Sequence, residues 1–111
     1  MTFGHIELFC RNPQGCAEWW MRTFNAALVA DQGLFLWVEI GGQELLMRPG
    51  EPESGATYRQ ASQAMVLYVD DLEAETARLR ELEVEFGYGD NDECLTLTDS
   101  EGHWIQVTSK G

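Results

Sequence analysis

Hydrophobic and polar residues alternate strictly over residues 4–10 (GHIELFC), and this alternation is typical of a β-strand. One side of the predicted strand is apolar and consists of Ile6, Leu8 and Cys10. The other side carries an imidazole, a carboxylate and an aromatic ring, in the order His5, Glu7 and Phe9. Such a row is typical of the wall of a ligand-binding site. An ordinary half-exposed strand produces the same alternation, so both interpretations stay open at this point.

A helical pattern follows this strand. Asn12 suits the N-cap of a helix and Pro13 its first position, and the pattern extends to about Asn25. Its apolar residues recur at intervals of three and four and are Cys16 or Ala17, Trp20, Phe24 and Ala27. Because neighbouring helical residues point about 100° apart, we expect Trp20 in the core and Trp19 at its margin or in a subunit contact.

Two further strands and a tight turn complete the first half of the chain. Residues 34–40 alternate again, with Leu34, Leu36, Val38 and Ile40 on one side and Phe35, Trp37 and Glu39 on the other. Gly41 and Gly42 predict a two-residue hairpin turn. The next strand, residues 43–48, places Leu45 and Met47 on one side and Glu44, Leu46 and Arg48 on the other.

The second half of the chain repeats this order of elements. Residues 50–63 are rich in Gly, Pro, Ser, Glu and Gln, which indicates a linker. After it come a strand at 64–69, a helix capped by Asp71, and strands at 94–98 and 103–108, with a turn-rich segment at 87–92. The apolar positions of this helix are Leu72, Thr76, Leu79 and Leu82.

The two halves are therefore predicted to be copies of one supersecondary unit. Ala64 begins the second half as His5 begins the first, and Gly102 lies in the closing hairpin as Gly42 does. We predict a single domain made of a first module at residues 1–49, a linker at 50–63 and a second module at 64–111.

Three segments carry a resemblance to a known family, and they are residues 4–13 (GHIELFCRNP), 67–74 (LYVDDLEA) and 98–107 (TDSEGHWIQV). In this order, and with the internal repeat, the chain resembles the vicinal oxygen chelate superfamily of glyoxalases, bleomycin resistance proteins and extradiol dioxygenases. The resemblance covers essentially the whole chain. It implies an α+β fold in which two paired β-α-β-β-β modules form a concave mixed sheet with the helices on its convex side, usually in a homodimer.

The resemblance also identifies where a metal would bind. Metal-dependent members place one ligand on the first strand and one on the last strand of each module, and the matching positions here are His5, Leu46, Ala64 and Gln106. Leu46 and Ala64 offer no lone pair, and two protein ligands would hold a divalent cation poorly. We therefore expect no metal cofactor. A relocated metal site made of His5, Gln106 and Glu7, in a lyase or dioxygenase of this fold, is the alternative.

The side of the predicted sheet that faces away from the helices gathers aromatic rings, carboxylates and hydrogen-bonding groups. Aromatic faces and carboxylates both attract positive charge, so this side suits a planar, cationic organic ligand. It resembles the metal-free resistance proteins of the superfamily, which sequester antibiotics. The expected ligand-binding residues are His5, Glu7, Phe9, Phe35, Trp37, Glu44, Tyr68, Trp104 and Gln106.

Two structural alternatives compete with this interpretation. The aromatic side chains could fill the concave side themselves, which would make the protein an interaction module, and a salt bridge from Glu7 to Arg48 would neutralise both charges. No serine lies in a G-x-S-x-G motif, and the cysteines have no evident basic neighbour. We therefore expect no catalytic residue, and the sequence favours a binding protein over an enzyme without deciding between them.

Composition limits the partners. The length of 111 residues suits one domain, and a formal charge of −12 opposes binding to nucleic acid and to anionic membranes. No apolar run approaches the roughly 20 residues of a membrane helix. The three cysteines form no C-x-x-C pair, and the N-terminus shows no signal-peptide pattern. We expect a cytoplasmic homodimer that binds a small organic molecule.

Overall fold

The computed structural model describes residues 1–89 and 93–110. The chain divides into two compact units, Met1–Glu53 and Ser54–Gly111. Each unit contains one β-α-β-β-β module with a four-stranded mixed sheet. The predicted α+β class and the predicted repeat of one module are confirmed.

The first unit consists of β1 (Ile6–Cys10), α1 (Pro13–Phe24), β2 (Ala27–Asp31), β3 (Leu36–Ile40) and β4 (Gln43–Pro49). The strand order in its sheet is β1-β4-β3-β2. Strand β1 is parallel to β4, and the other neighbours are antiparallel. The first and last strands of the module, β1 and β4, are therefore neighbours, and β1 is an edge strand of the sheet.

Helix α1 begins and ends as the sequence predicts. The side chain of Asn12 accepts a hydrogen bond from the Gly15 backbone N–H, and Asn25 ends the helix in the left-handed conformation with φ of 57°. Trp20 is fully buried. Phe24, expected in the core, is only half-buried because its ring lies beside Trp19 and Trp20 at the margin, while the smaller Thr23 is buried instead.

Strand β2 was not predicted, and Ala27 belongs to it rather than to the helix. The strand lies at the edge of the sheet, and its register shifts between Leu28 and Ala30. This irregularity removes the alternation that marks a strand in sequence, because a bulge displaces the side chains that follow it. Leu34, predicted on the apolar side of the next strand, is exposed and lies before β3 begins.

The hairpin between β3 and β4 forms at the predicted glycines. Gly41 and Gly42 both have positive φ, at 57° and 85°, which a two-residue hairpin turn requires and which glycine adopts without strain. This turn pairs Ile40 with Gln43 and thereby fixes the register of both strands. Helix α1 packs against one side of the sheet, where the buried residues are Leu36, Val38, Leu45 and Met47.

The second unit repeats this topology with β5 (Met65–Val69), α2 (Leu72–Glu81), β6 (Gly87–Tyr88), β7 (Cys94–Thr98) and β8 (Trp104–Ser109). Its strand order is β5-β8-β7-β6, and β5 is parallel to β8. A single 3₁₀ turn, Tyr58–Gln60, precedes β5. Neither helix in the described part of the chain combines the length and hydrophobicity that crossing a membrane would require.

Three details of the second unit differ from the sequence predictions. Leu82 is exposed rather than buried, because it lies one residue beyond the end of α2. Gly87 and Tyr88 form a short strand where a turn was predicted, and residues 90–92 of that segment lie outside the described residues. Strand β8 begins at Trp104, because His103 belongs to the preceding loop, where its ring is hydrogen-bonded to Asp99 at 2.7 Å.

Candidate functional site

Each sheet has a side that faces away from its helix, and these two sides carry the predicted site residues. We call the side in the first unit the first face, and it consists of His5, Glu7, Phe9, Phe35, Trp37, Glu39, Glu44, Leu46 and Arg48. The side in the second unit is the second face, and it consists of Ala64, Val66, Tyr68, Cys94, Thr96, Thr98, Trp104, Gln106 and Thr108.

The register of three strands builds the first face. Leu46 of β4 lies opposite Glu7 of β1 on one flank and opposite Trp37 of β3 on the other. Arg48 lies opposite Phe9 in the same way. Residues paired across strands point to the same side of a sheet, so side chains that are distant in sequence become neighbours.

Glu7 is the centre of an ionic network on the first face. Arg48 Nη1 donates a hydrogen bond to Glu7 Oε1 at 2.9 Å, and His5 Nε2 is hydrogen-bonded to Glu7 Oε2 at 2.9 Å. The hydrogen bond with His5, followed by the one with Arg48, lowers the pKa of Glu7 below its ordinary value of 4.5. Glu7 is therefore ionised at neutral pH, and both of its carboxylate oxygens already have partners within the protein.

Aromatic rings surround the cationic side of this network. The Arg48 guanidinium lies 5.4 Å from the centre of the Phe9 ring and 5.3 Å from that of Phe35. These distances are typical of cation–π interactions. The His5 ring meets Trp37 edge-on, with 4.6 Å between ring centres. Five of the residues expected to bind a ligand therefore already contact one another or Arg48 within the protein.

Two carboxylates on the first face stand apart from this network. Glu39 and Glu44 are directly opposite each other on β3 and β4. Within residues 1–89 and 93–110, neither carboxylate has a cationic partner. Like charges at directly opposed positions repel each other, and a bound cation would relieve that repulsion.

Among the described residues of the second unit, the second face carries no carboxylate and no imidazole. Gln106 of β8 lies opposite Val66 on one flank and opposite Thr96 on the other, and Thr108 lies opposite Tyr68 and Cys94. Tyr68 is 65% exposed. Trp104 contacts the segment predicted to be a linker, which the sequence analysis did not connect to it. Its Nε1 donates a hydrogen bond to the Gly55 carbonyl at 3.1 Å, and its ring meets the Tyr58 ring edge-on with 6.0 Å between ring centres.

The residues present do not fit the divalent metal that the fold family implies. Leu46 and Ala64 have aliphatic side chains, and Leu46 is buried. Glu7, the candidate replacement ligand, holds the positively charged Arg48, which would repel a metal ion placed on the same carboxylate. Each unit is left with one suitable donor at the family positions, His5 in the first and Gln106 in the second.

Solved structures of known proteins share this fold. Lactoylglutathione lyase from Agrobacterium tumefaciens is 16% identical, with a TM-score of 0.73 over 97% of this chain and 92% of that one. The fosfomycin resistance protein FosX from Listeria monocytogenes, complexed with Mn(II) and sulfate, is 15% identical, with a TM-score of 0.80 over 99% and 90%. TnmS3, an antibiotic binding protein from Streptomyces sp. CB03234, is 21% identical, with a TM-score of 0.72 over 100% and 99%.

At the level of sequence, no curated protein matches the chain. A family model does match it over residues 2–107, and that model describes the glyoxalase/bleomycin resistance protein/dioxygenase superfamily. The match spans both modules, from the residues before β1 to Val107 within β8. This chain is therefore a member of the glyoxalase/bleomycin resistance protein/dioxygenase superfamily.

Proposed function

We propose that this protein binds a planar, cationic organic ligand on the open faces of its sheets, without a metal-dependent reaction. The observation that carries the proposal is the pair of opposed carboxylates, Glu39 and Glu44, on a face that also presents Trp37. The antibiotic-binding and antibiotic-resistance proteins that share the fold support a role in sequestering an antibiotic.

On the first face, we propose different roles for the carboxylates and the aromatic ring. Glu44, together with Glu39, attracts the positive charge of the ligand, and Trp37 stacks on its ring system. For Glu7 we propose a structural role in place of direct ligand contact, because its carboxylate is already paired with Arg48 and His5. We assign Glu7 to positioning these two side chains, and through them the rings of Phe9 and Phe35.

The second face supplies neutral contacts. Tyr68 offers an exposed ring with a hydroxyl group, and Trp104 offers a ring that the Gly55 carbonyl holds in place. Gln106 offers an amide that can donate and accept hydrogen bonds. In this proposal these three residues bind an organic ligand at the second face by stacking and hydrogen bonding rather than by charge.

The test is a titration with 3-ethyl-1-methylquinolinium, a planar cation, followed by tryptophan fluorescence. We expect saturable binding that the neutral 3-ethylquinoline does not reproduce. Glu44→Gln should weaken the affinity about tenfold, the loss of one charge-assisted contact. Glu18→Gln is the matched control, because it removes the same charge from an exposed position on α1. Equal losses in the two variants would reduce the effect to net charge and contradict the proposal.

We further propose that the protein acts as a homodimer in the cytoplasm. Its three cysteines are free, which suits a reducing compartment. Light scattering coupled to size-exclusion chromatography would measure a mass near twice 12.5 kDa. A mass equal to one chain at micromolar concentration would contradict the dimer.

A further inference from the structure

Arg48 has hydrogen-bond donors on the open side of the first face that the protein does not use. Its Nη1 donates to Glu7 Oε1, and its Nε is buried. Nη2 is accessible and donates to no acceptor among the described residues. The side chain as a whole is 37% exposed. The two N–H groups of Nη2 therefore face solvent and are available to a ligand.

The guanidinium of Arg48 is held in place before any ligand binds. Glu7 binds its Nη1 at 2.9 Å, and the rings of Phe9 and Phe35 lie 5.4 Å and 5.3 Å away from it. The Phe9 residue is itself 45% exposed, so this end of the first face is open to solvent. A donor that the protein already holds loses little conformational entropy on binding, in contrast to a mobile surface arginine.

Arg48 and the opposed carboxylates lie towards opposite ends of one strand. Glu44 and Arg48 are on the same side of β4 and four residues apart, which is about 13 Å along an extended strand. Leu46 lies between them, opposite Trp37 of β3. A ligand that stacks on Trp37 with its positive charge towards Glu44 therefore directs its other end towards Arg48.

The charges around Arg48 favour an uncharged oxygen at this end of the ligand. The Glu7 carboxylate already balances the guanidinium, and the protein as a whole has a formal charge of −12. A ligand carboxylate would be attracted by Arg48 but repelled by Glu7 from a similar distance. A carbonyl oxygen accepts a charge-assisted hydrogen bond from Nη2 without carrying a negative charge.

We infer that Arg48 Nη2 binds a carbonyl oxygen of the ligand, at the end of the ring system remote from its positive charge. The inference rests on the proposed function, because it adds a carbonyl group to the planar cation that the first face is proposed to bind. Glu44 and Arg48 then recognise the two ends of the ligand, and Trp37 stacks on the rings between them. Arg48 determines which cations are preferred, and Glu44 determines that the ligand is a cation.

The test compares 6-acetyl-1-methylquinolinium with 6-ethyl-1-methylquinolinium, which differ in a carbonyl oxygen on the ring that does not contain the charged nitrogen. We expect the acetyl compound to bind the native protein about tenfold more tightly, as one hydrogen bond to a charged donor would give. Arg48→Met, which keeps the length of the side chain but has no donor, should reduce this preference to about twofold or less. The variant also releases the Glu7 carboxylate, which raises the affinity for both cations alike and leaves their ratio as the informative quantity.

Two controls separate this contact from net charge and from a general effect of the acetyl group. Arg22→Met removes the same charge from an exposed position on α1 and should keep the tenfold preference. The isomers 3-acetyl-1-methylquinolinium and 3-ethyl-1-methylquinolinium place the substituent on the charged ring, close to Glu44 and away from Arg48. On the native protein, these two isomers should differ about twofold or less in affinity.

The outcomes distinguish the role of Arg48 from the function on which it rests. Equal affinity of the native protein for the 6-acetyl and 6-ethyl compounds overturns the role of Arg48, whether or not Arg48→Met folds, and leaves the proposed function standing. A tenfold preference that survives in Arg48→Met, or that the 3-substituted pair shows equally, also overturns it. Tighter binding of 1-methylquinolinium-6-carboxylate than of the 6-acetyl compound would overturn the assignment of a neutral oxygen. If none of these cations binds, the proposed function fails and the role of Arg48 fails with it.

Discussion

The first and second faces occupy equivalent positions of one repeated module but carry opposite chemistry. The register that places Glu7 opposite Leu46 in the first unit places Val66 opposite Gln106 in the second. The first face pairs one of its three carboxylates internally, through the contacts of Arg48 and His5 with Glu7, and leaves Glu39 and Glu44 without a cationic partner among the described residues. The second face is neutral and leaves the Thr96 hydroxyl without a partner in the described part of the chain. A repeated backbone therefore does not imply repeated function.

This difference also explains why the family metal site does not fit. Each module supplies a single donor at the family positions, but the two modules lack different members of the set. The first keeps His5 and has Leu46 on its last strand, whereas the second has Ala64 on its first strand and keeps Gln106. Hydrophobic and aliphatic replacements remove lone pairs, and no rearrangement of rotamers restores them.

The largest effect on stability is expected when the central residue of each face is replaced by its counterpart on the other face. Leu46→Gln should destabilise the protein by about 3 kcal/mol, because it removes a buried aliphatic side chain and buries an amide between Glu7 and Trp37. Gln106→Leu should cost less than about 1 kcal/mol, because Gln106 is only half-buried. Urea unfolding of the full chain measures both. Equal losses would show that the two faces do not differ in packing.

A smaller loss is expected where the first face depends on a glycine. A Cβ on Gly50 would lie 2.7 Å from Cδ1 of the Phe9 ring, so Gly50→Ala should displace this ring from Arg48. Overpacking of this kind costs about 1–3 kcal/mol. Gly4→Ala is the control, since its Cβ would meet nothing within 4 Å. Thermal unfolding measures the melting temperatures of both variants. Equal melting temperatures would show that Gly50 is not needed to hold the Phe9 ring in place.

The ionic network predicts a pH dependence that belongs to the first face. Because the pKa of Glu7 is lower in the folded than in the unfolded chain, its contribution to stability is present above pH 4.5 and is lost as the pH falls through its folded-state pKa. Arg48→Gln should raise the Glu7 pKa towards 4.5, as measured by carboxyl ¹³C titration. A Glu7 pKa that Arg48→Gln leaves unchanged would exclude this ion pair as a cause.

On the second face we expect still smaller changes in the free energy of unfolding. Replacing one threonine should lower stability, and replacing another should leave it unchanged or raise it. Thr108→Val should cost about 1 kcal/mol, because it removes the hydrogen bond to the Glu93 carbonyl. Thr96→Val should cost nothing or stabilise the protein slightly. Parallel urea titrations give the two values. A larger loss at Thr96 than at Thr108 would show that the Thr96 hydroxyl has a structural partner.

The smallest expected effect is that of metal. Addition of about 1 mM Mn²⁺ should leave the melting temperature unchanged, because a ligand that does not bind the folded state does not stabilise it. The same measurement on His5→Ala serves as the control. A rise in melting temperature that His5→Ala abolishes would restore the metal-dependent alternative.

Much of the fold follows from short stretches of sequence. The cap at Asn12, the glycine turn at Gly41 and the alternation in β1 depend on residues one to four positions apart, and sequence displays these distances directly. The repeat follows from the same local patterns occurring twice. Strand β2 was not predicted because its register shift removes the alternation of side chains. The burial of Leu82 was predicted wrongly because α2 ends one residue before it.

In the candidate site, local sequence patterns do not predict which side chains contact each other. The sequence placed His5, Glu7 and Trp37 on one side of their strands, but their partners depend on strand register. Arg48 reaches Glu7 across 41 positions of the chain, and Trp104 reaches Gly55 across 49. A pattern of alternation fixes the side on which a residue lies, and only the paired strands decide which side chain stands beside it.

The sequence by itself determined the repeated module, its helix caps and its glycine turn. The tertiary structure alone decided that the Glu7 carboxylate is already bound by the protein. It also decided that, within residues 1–89 and 93–110, Glu39 and Glu44 face each other without a cation and the Thr96 hydroxyl has no hydrogen-bond partner. The physical reason is that hydrogen bonds and ion pairs act over about 3 Å in space, whereas sequence patterns report only neighbours along the chain.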